Sequence, residues 1–204
     1  MKISTVLLDA DGVVQTTAPG WLDALGSLCG KPASRKAFLQ DVFAAERPAL
    51  IGAESFRPAL AEVLARWGAP VEVEEAIRMW QMIEPQKMVL QEASLLRRAG
   101  VRVSLATNQQ AERAAFMSRT LGYEERFDDL FYSFALGHAK PSGAYFSAVL
   151  EALGQPGAEV LFVDDNAANV EAARALGMHA RTYDLSSGKE GFRALLAEFG
   201  LAGD

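Results

Sequence analysis

The sequence predicts an α/β protein: a doubly wound parallel sheet with a small all-helical domain inserted after its first strand. Three observations carry this. Short apolar runs alternate with amphipathic stretches over most of the chain. Three of those runs are apolar almost throughout, as parallel strands covered on both faces are. Residues 15–85 break the alternation and read as one helix after another.

Taken in order, TVLL at 5–8 is the first strand, and the polar DADG follows it. Helical patterns then cover 19–28, 34–46, 55–67 and 73–83, separated by the turn-prone CGKPAS, RPALIGAE and GAPVE. No strand is expected anywhere in 15–85. PQKMVLQEASLLRRAG closes on arginines and a glycine, as helix C-termini tend to. VRVSLA at 101–106 is the second sheet strand, followed by the helical QQAERAAFMSRTLG. LFYSF at 130–134, VLFV at 160–163 and HARTY at 179–183 complete the strands, with the helical AANVEAARALG before the last. The expected division is a catalytic core of residues 1–14 and 86–204 with a helical domain of residues 15–85.

Composition narrows the class of function. Half of the 204 residues are hydrophobic and 23% are charged, an ordinary globular profile. The net charge of −6 argues against nucleic acid or an anionic membrane as principal partner. No apolar run has the length of a membrane span, and the run after Lys2 is short for a signal-peptide core. Cys29 is the only cysteine, so neither a disulfide framework nor a thiolate metal cage is expected, and a cytoplasmic setting is. GSLCGKP, at 26–32, is one residue short of a phosphate-loop spacing and follows a helix, so it is rejected as one.

The informative residues stand after the strands. Asp9-Ala10-Asp11-Gly12 follows the first, Thr107-Asn108 the second, Lys140 the third, and Asp164-Asp165-Asn166 the fourth. In open α/β sheets ligands bind at the carboxyl ends of the strands, where strand order reverses, so these clusters converge on one crevice. Carboxylates gathered there must be neutralised or share protons. Hard oxygen donors without cysteine or histidine suit Mg²⁺. Two residues along an extended strand, Asp11 would lie on the same face as Asp9. Each piece also has a plainer reading: Asp-Gly as a turn, Thr107-Asn108 and Asp164-Asp165 as helix caps, Lys140 as a solvated lysine. Trp21, Trp67 and Trp80 read as packing for the helical domain.

The ordered set of four motifs resembles that of the haloacid dehalogenase-like (HAD) hydrolases, of the subfamily I type with a helical C1 cap, and its phosphatase branch. The likeness spans nearly the whole chain. It implies a Rossmann-like core and an aspartyl-phosphate mechanism, with Asp9 as nucleophile and Asp11 as acid and base. Thr107 and Asn108, the latter through backbone amides, would bind phosphate, and Lys140 would neutralise charge on Asp9 and phosphate. Mg²⁺ would be held by Asp9, the Asp11 carbonyl and Asp165, with Asp164 as a nearby indirect partner. The family's dehalogenases lack an acid where Asp11 stands, so phosphate chemistry is favoured over carbon–halogen cleavage. Many members carry an acid where Asn169 stands here. Arg47 or Glu54, in a turn resembling the loop that caps lower over the site, would touch the leaving group, the plainer reading being a solvated inter-helix loop. The expected activity is hydrolysis of a small phosphorylated metabolite, a sugar phosphate among the candidates. A phosphomutase and a non-catalytic module that accepts and holds phosphate are the alternatives.

Overall fold

The structure is a computed structural model describing residues 2–201. Met1 and residues 202–204, which the expected core range includes, lie outside the described residues. Five strands form a parallel sheet: β1 (Thr5–Leu8), β4 (Arg102–Thr107), β5 (Leu130–Tyr132), β6 (Val160–Asp164) and β7 (His179–Thr182). Their order is β5-β4-β1-β6-β7, so strand order reverses about the central β1. Leu8 is opposite Leu105 on one side and Val163 on the other, which places the carboxyl ends of three strands side by side.

Alternation along β1 divides the core. Val6 and Leu8, with Val103, Leu105, Leu161 and Val163, face the helices Lys87–Arg98 and Gly188–Ala197. Leu7, Phe162 and Ala180 face Gly143–Leu153 and Ala167–Ala175. Every residue of β1 and β6 is buried, which is why these strands read as apolar without alternation. Each fully buried Leu, Val or Phe contributes roughly 1.5–3 kcal/mol of transfer free energy, so the central strands anchor whatever is attached to their ends.

Between β1 and β4 the chain builds a separate apolar cluster. Helices Trp21–Ser27, Arg35–Ala49, Phe56–Trp67 and Val73–Arg78 pack around Phe38, Val42, Phe56, Leu60 and Trp80. Trp80 meets Phe56 at 4.8 Å and Trp21 at 6.2 Å between ring centroids, and Trp67 Nε1 donates to Asp41. The expectation of no strand in 15–85 is overturned at both ends of that range. β2 (Gln15–Thr17) pairs antiparallel with β3 (Ile83–Pro85), and Ala18 N and Gln86 N extend the pairing. Each strand has three residues, too few for a period of two to register, and its partner is some seventy positions away. This two-stranded ribbon joins the helical region to the sheet.

The remaining boundaries shift for similar reasons. LFYSF is strand only as far as Tyr132, because the helix Ser133–Leu136 begins at once. The single helix expected over 109–122 is an α-helix, Ala111–Ala115, followed by a π-helical turn, Phe116–Thr120, that buries Met117.

Candidate active site

β1 stops at Leu8, so Asp9 and Asp11 do not share an extended strand. The chain turns at Ala10, whose carbonyl accepts from Val13, Val14 and Gln15 N–H groups, and the two carboxylates enter different surroundings. The strand alternation expected to carry Asp11 onto the face of Asp9 does not extend past Leu8, and the two carboxylates remain within electrostatic reach of each other.

Asp9 is buried beside Lys140, whose Nζ lies 2.8 Å from its Oδ1 and 2.6 Å from Asp164 Oδ2. The Lys140 side chain is 1% exposed. A single buried ammonium thus serves two carboxylates. Burial pushes the Asp9 carboxyl up to about 7, with Lys140 drawing it back and Asp164 adding to the rise. Asp9 Oδ1 also accepts from Ala10 N–H, which fixes the carboxylate plane; Oδ2 takes no hydrogen bond among the described residues. The plainer reading of Lys140 as a surface lysine is excluded.

Asp164, at the end of β6, is fully buried and accepts from Asn166 N and, through both oxygens, from Asn169 Nδ2 at 3.0 Å. A carboxylate at 169 would face Asp164 with like charge; the amide supplies donors instead. The helix Ala167–Ala175 is capped by the side chain of Asn166, not by Asp164 or Asp165. Carboxylate oxygens of Asp9, Asp164 and Asp165 come within 4.8 Å of one another. These hard, anionic donors, only partly neutralised by Lys140, fit a small divalent cation such as Mg²⁺. The Asp11 carboxylate is not in this group, and both Asp164 oxygens are already engaged, Oδ2 by Lys140 and each by Asn169. Burial, with Asp164 beside it, raises the Asp165 carboxyl. Gly12 passes so close to Asp165 that a Cβ would fall 2.3 Å from Oδ2, and its φ of +88° is a conformation that side chains disfavour.

Asp11 is held differently. Arg113 Nη1 and Nη2 donate to its two oxygens at 2.6 and 2.8 Å, Gln109 Nε2 to Oδ2 at 2.8 Å, and Gln15 Nε2 to Oδ1 at 3.1 Å. Burial alone would raise this carboxyl, but Arg113 and the two amides outweigh it and hold it below the ordinary carboxylate range. Gln109 Nε2 also donates to Thr107 Oγ1 at 3.1 Å, which leaves the Thr107 hydroxyl proton for another acceptor. Asn108 clamps the Lys140 backbone, donating to its carbonyl at 2.9 Å and accepting from its N–H at 2.8 Å. Its side chain positions the lysine segment. The N-cap of Ala111–Ala115 is Gln110, not Thr107 or Asn108.

The helical region closes over this crevice. Ser133 Oγ donates to the Leu50 carbonyl, and Gly52, at φ +68°, lies where a Cβ would meet the Phe134 carbonyl at 2.3 Å. A cavity of about 310 Å³ remains between the layers, lined by Gly52, Glu54, Phe56, Ala111, Glu112 and Phe134. Glu54 lines this cavity, which none of Asp9, Asp11, Thr107, Lys140, Asp164 and Asp165 lines. Arg47 is exposed in the last turn of Arg35–Ala49, away from that lining. Gln15, Glu46, Gln109 and Arg113 are not evident from sequence. The one available signal is the i, i+4 spacing of Gln109 and Arg113 directly after the second motif.

The family model for haloacid dehalogenase-like hydrolase matches residues 3–177. A sesquiterpene phosphatase, astK, of Aspergillus oryzae is 38% identical over 84 residues, 41% of this chain and 42% of that one. Phosphatase MT3486 of Mycobacterium tuberculosis is 35% identical over 91 residues, 44% of this chain and 42% of that one. The matches thus span less than half the length of these curated relatives. A HAD family enzyme, bt-2542, of Bacteroides thetaiotaomicron, solved in complex with magnesium and inorganic phosphate, superposes with a TM-score of 0.73 at 22% identity, over 88% of this chain and 93% of that one.

Proposed function

The chain belongs to the haloacid dehalogenase-like hydrolases, and we propose that it is a Mg²⁺-dependent phosphatase acting on a small phosphorylated metabolite. The observation that carries the reading is Asp9 at the end of β1, pinned through Oδ1 by Lys140 with Oδ2 uncommitted, beside Asp164 and Asp165. Residues 15–85 serve as the cap, moving on the β2–β3 ribbon.

Asp9, Asp165 and the Asp11 carbonyl would hold Mg²⁺, with Asp164 beside them. Bound there, the cation supplies charge neutralisation that lets an anionic phosphate approach an anionic nucleophile. Asp11 must take up a proton against the pull of Arg113 before the first step; Asp9 Oδ2 then attacks phosphorus, the bond to the leaving oxygen breaks, and Asp11 gives that oxygen its proton. Asp11 then takes a proton from water as the water oxygen attacks phosphorus. Phosphate departs and the Asp9 carboxylate is restored. Thr107 Oγ donates to a phosphoryl oxygen, and Lys140 stabilises charge on Asp9 and the transferring group.

Support for phosphate chemistry comes from Asp11 itself, a group with no work to do in halide release, and from the phosphatases among the relatives. Its proximity to Asp9 also favours turnover over a module that stores phosphate, because a neighbouring base shortens the life of an acyl phosphate. A phosphomutase would use the same residues, and a panel of sugar and terpenoid phosphates separates hydrolysis from transfer. The direct test is incubation with p-nitrophenyl phosphate and Mg²⁺. Many turnovers per protein, abolished by chelation and restored by Mg²⁺, are expected; a single stoichiometric burst would overturn the reading.

A further inference from the structure

Arg113 is a buried guanidinium with four of its five N–H donors committed. Nη1 and Nη2 fork onto the two Asp11 oxygens, Nη1 also donates to Gln109 Oε1 at 2.8 Å, and Nε donates to the Trp80 carbonyl at 3.0 Å. Trp80 belongs to the helical region, just before β3, whereas Arg113 sits in Ala111–Ala115, after β4. Glu46, from the helix Arg35–Ala49, adds a further carboxylate within electrostatic reach of the same guanidinium. One side chain therefore bridges the loop after β1, the segment after β4 and the cap. Asp11 could have been oriented by its backbone and Gln15 alone; a planar two-point fork fixes its carboxylate plane as well.

Resting on the phosphatase reading, we propose that Arg113 is a positioning residue for the reaction. Anchored on the Trp80 carbonyl of the cap, it sets the plane of the Asp11 carboxylate against the leaving-group oxygen. Four of its five donors go to Asp11, Gln109 and Trp80, so it acts on the reaction through Asp11. The Asp11 side chain remains 38% exposed, so a leaving group can still reach it. Arginine is required here because lysine offers a point charge and no fork.

The test compares substituted phenyl phosphates, from the p-nitro to the p-methoxy ester, by kcat/KM, which reports Asp9 phosphorylation and hence protonation of the leaving oxygen. In Arg113→Lys and Arg113→Met the p-methoxy ester, which needs its proton most, loses about 10²-fold, while the p-nitro ester loses about tenfold or less. Retained p-nitrophenyl turnover certifies that the variants fold, and the lysine variant keeps the charge should the methionine variant fail. In an Asp11→Asn background Arg113→Lys causes no further loss. Equal losses on both esters, or additive losses in the double variant, would overturn the role of Arg113 while leaving the phosphatase reading intact. Failure of the wild-type protein to turn over either ester would overturn both.

Discussion

Asp9 and Asp11 are two residues apart, yet they sit in opposite electrostatic settings. Asp9 shares one buried ammonium with a second carboxylate and is pushed up to about 7 by burial. Asp11 accepts a two-point guanidinium fork and bonds from two amides, stays partly open to solvent, and lies below the ordinary range. The Asp9 side is short of positive charge and fits a cation; the Asp11 side is already neutralised and fits none. Adjacent carboxylates can thus take different roles without any difference in residue type, because each role is set by the partners the fold delivers.

The comparison can be broken in several places. Asp9→Asn removes the proposed nucleophile and is expected to lower kcat by at least about 10⁴-fold, followed by phosphate release. Turnover near the wild-type rate would end the nucleophile assignment. Asp11→Asn should cost less, about 10²–10⁴-fold in kcat/KM, and least on esters with good leaving groups.

Lys140→Met leaves Asp9 and Asp164 buried without their shared cation, at a cost of about 3–5 kcal/mol in urea unfolding without metal. Added Mg²⁺ should recover part of that loss, which a purely structural lysine would not show. Arg113→Met, acting on the partly solvated side, should unfold the protein less than Lys140→Met does.

The smallest effect concerns Glu46, partly buried in the helix Arg35–Ala49 and within electrostatic reach of Arg113. Burial pushes its carboxyl from 4.5 up to about 7, against the Trp80 indole donor and Arg113, which lower it. The native state therefore holds a proton that the unfolded chain releases, and stability falls as pH rises between about 4.5 and 7. Glu46→Gln removes that penalty. Its stability relative to wild type should rise by roughly 1–3 kcal/mol between pH 5 and pH 8, read from thermal or urea unfolding. A difference independent of pH would show that Glu46 is ionised throughout.

Much of the core was legible. TVLL, VRVSLA and VLFV are central strands because residues buried on both faces must be apolar, and the polar residues after them mark the ligand end of the sheet. The gathering of Asp9, Asp164 and Asp165 follows from their positions after strands. The β2–β3 ribbon was not, since three residues carry no period. Neither was Arg113, which reads as one more basic residue on an amphipathic helix until Asp11, 102 positions away, is brought to it.

The sequence by itself determined the layered α/β class, the helical insertion and the convergence of acids at the strand ends. Burial periodicity is a local property, and a few neighbouring residues suffice to express it. Only the tertiary structure decided which cation serves which carboxylate, that Asn169 and Asn108 act on Asp164 and Lys140, and that the helical region is joined to Asp11 through Arg113. Ion pairs and hydrogen bonds depend on fractions of an ångström between groups far apart in the chain, and no local pattern carries those distances.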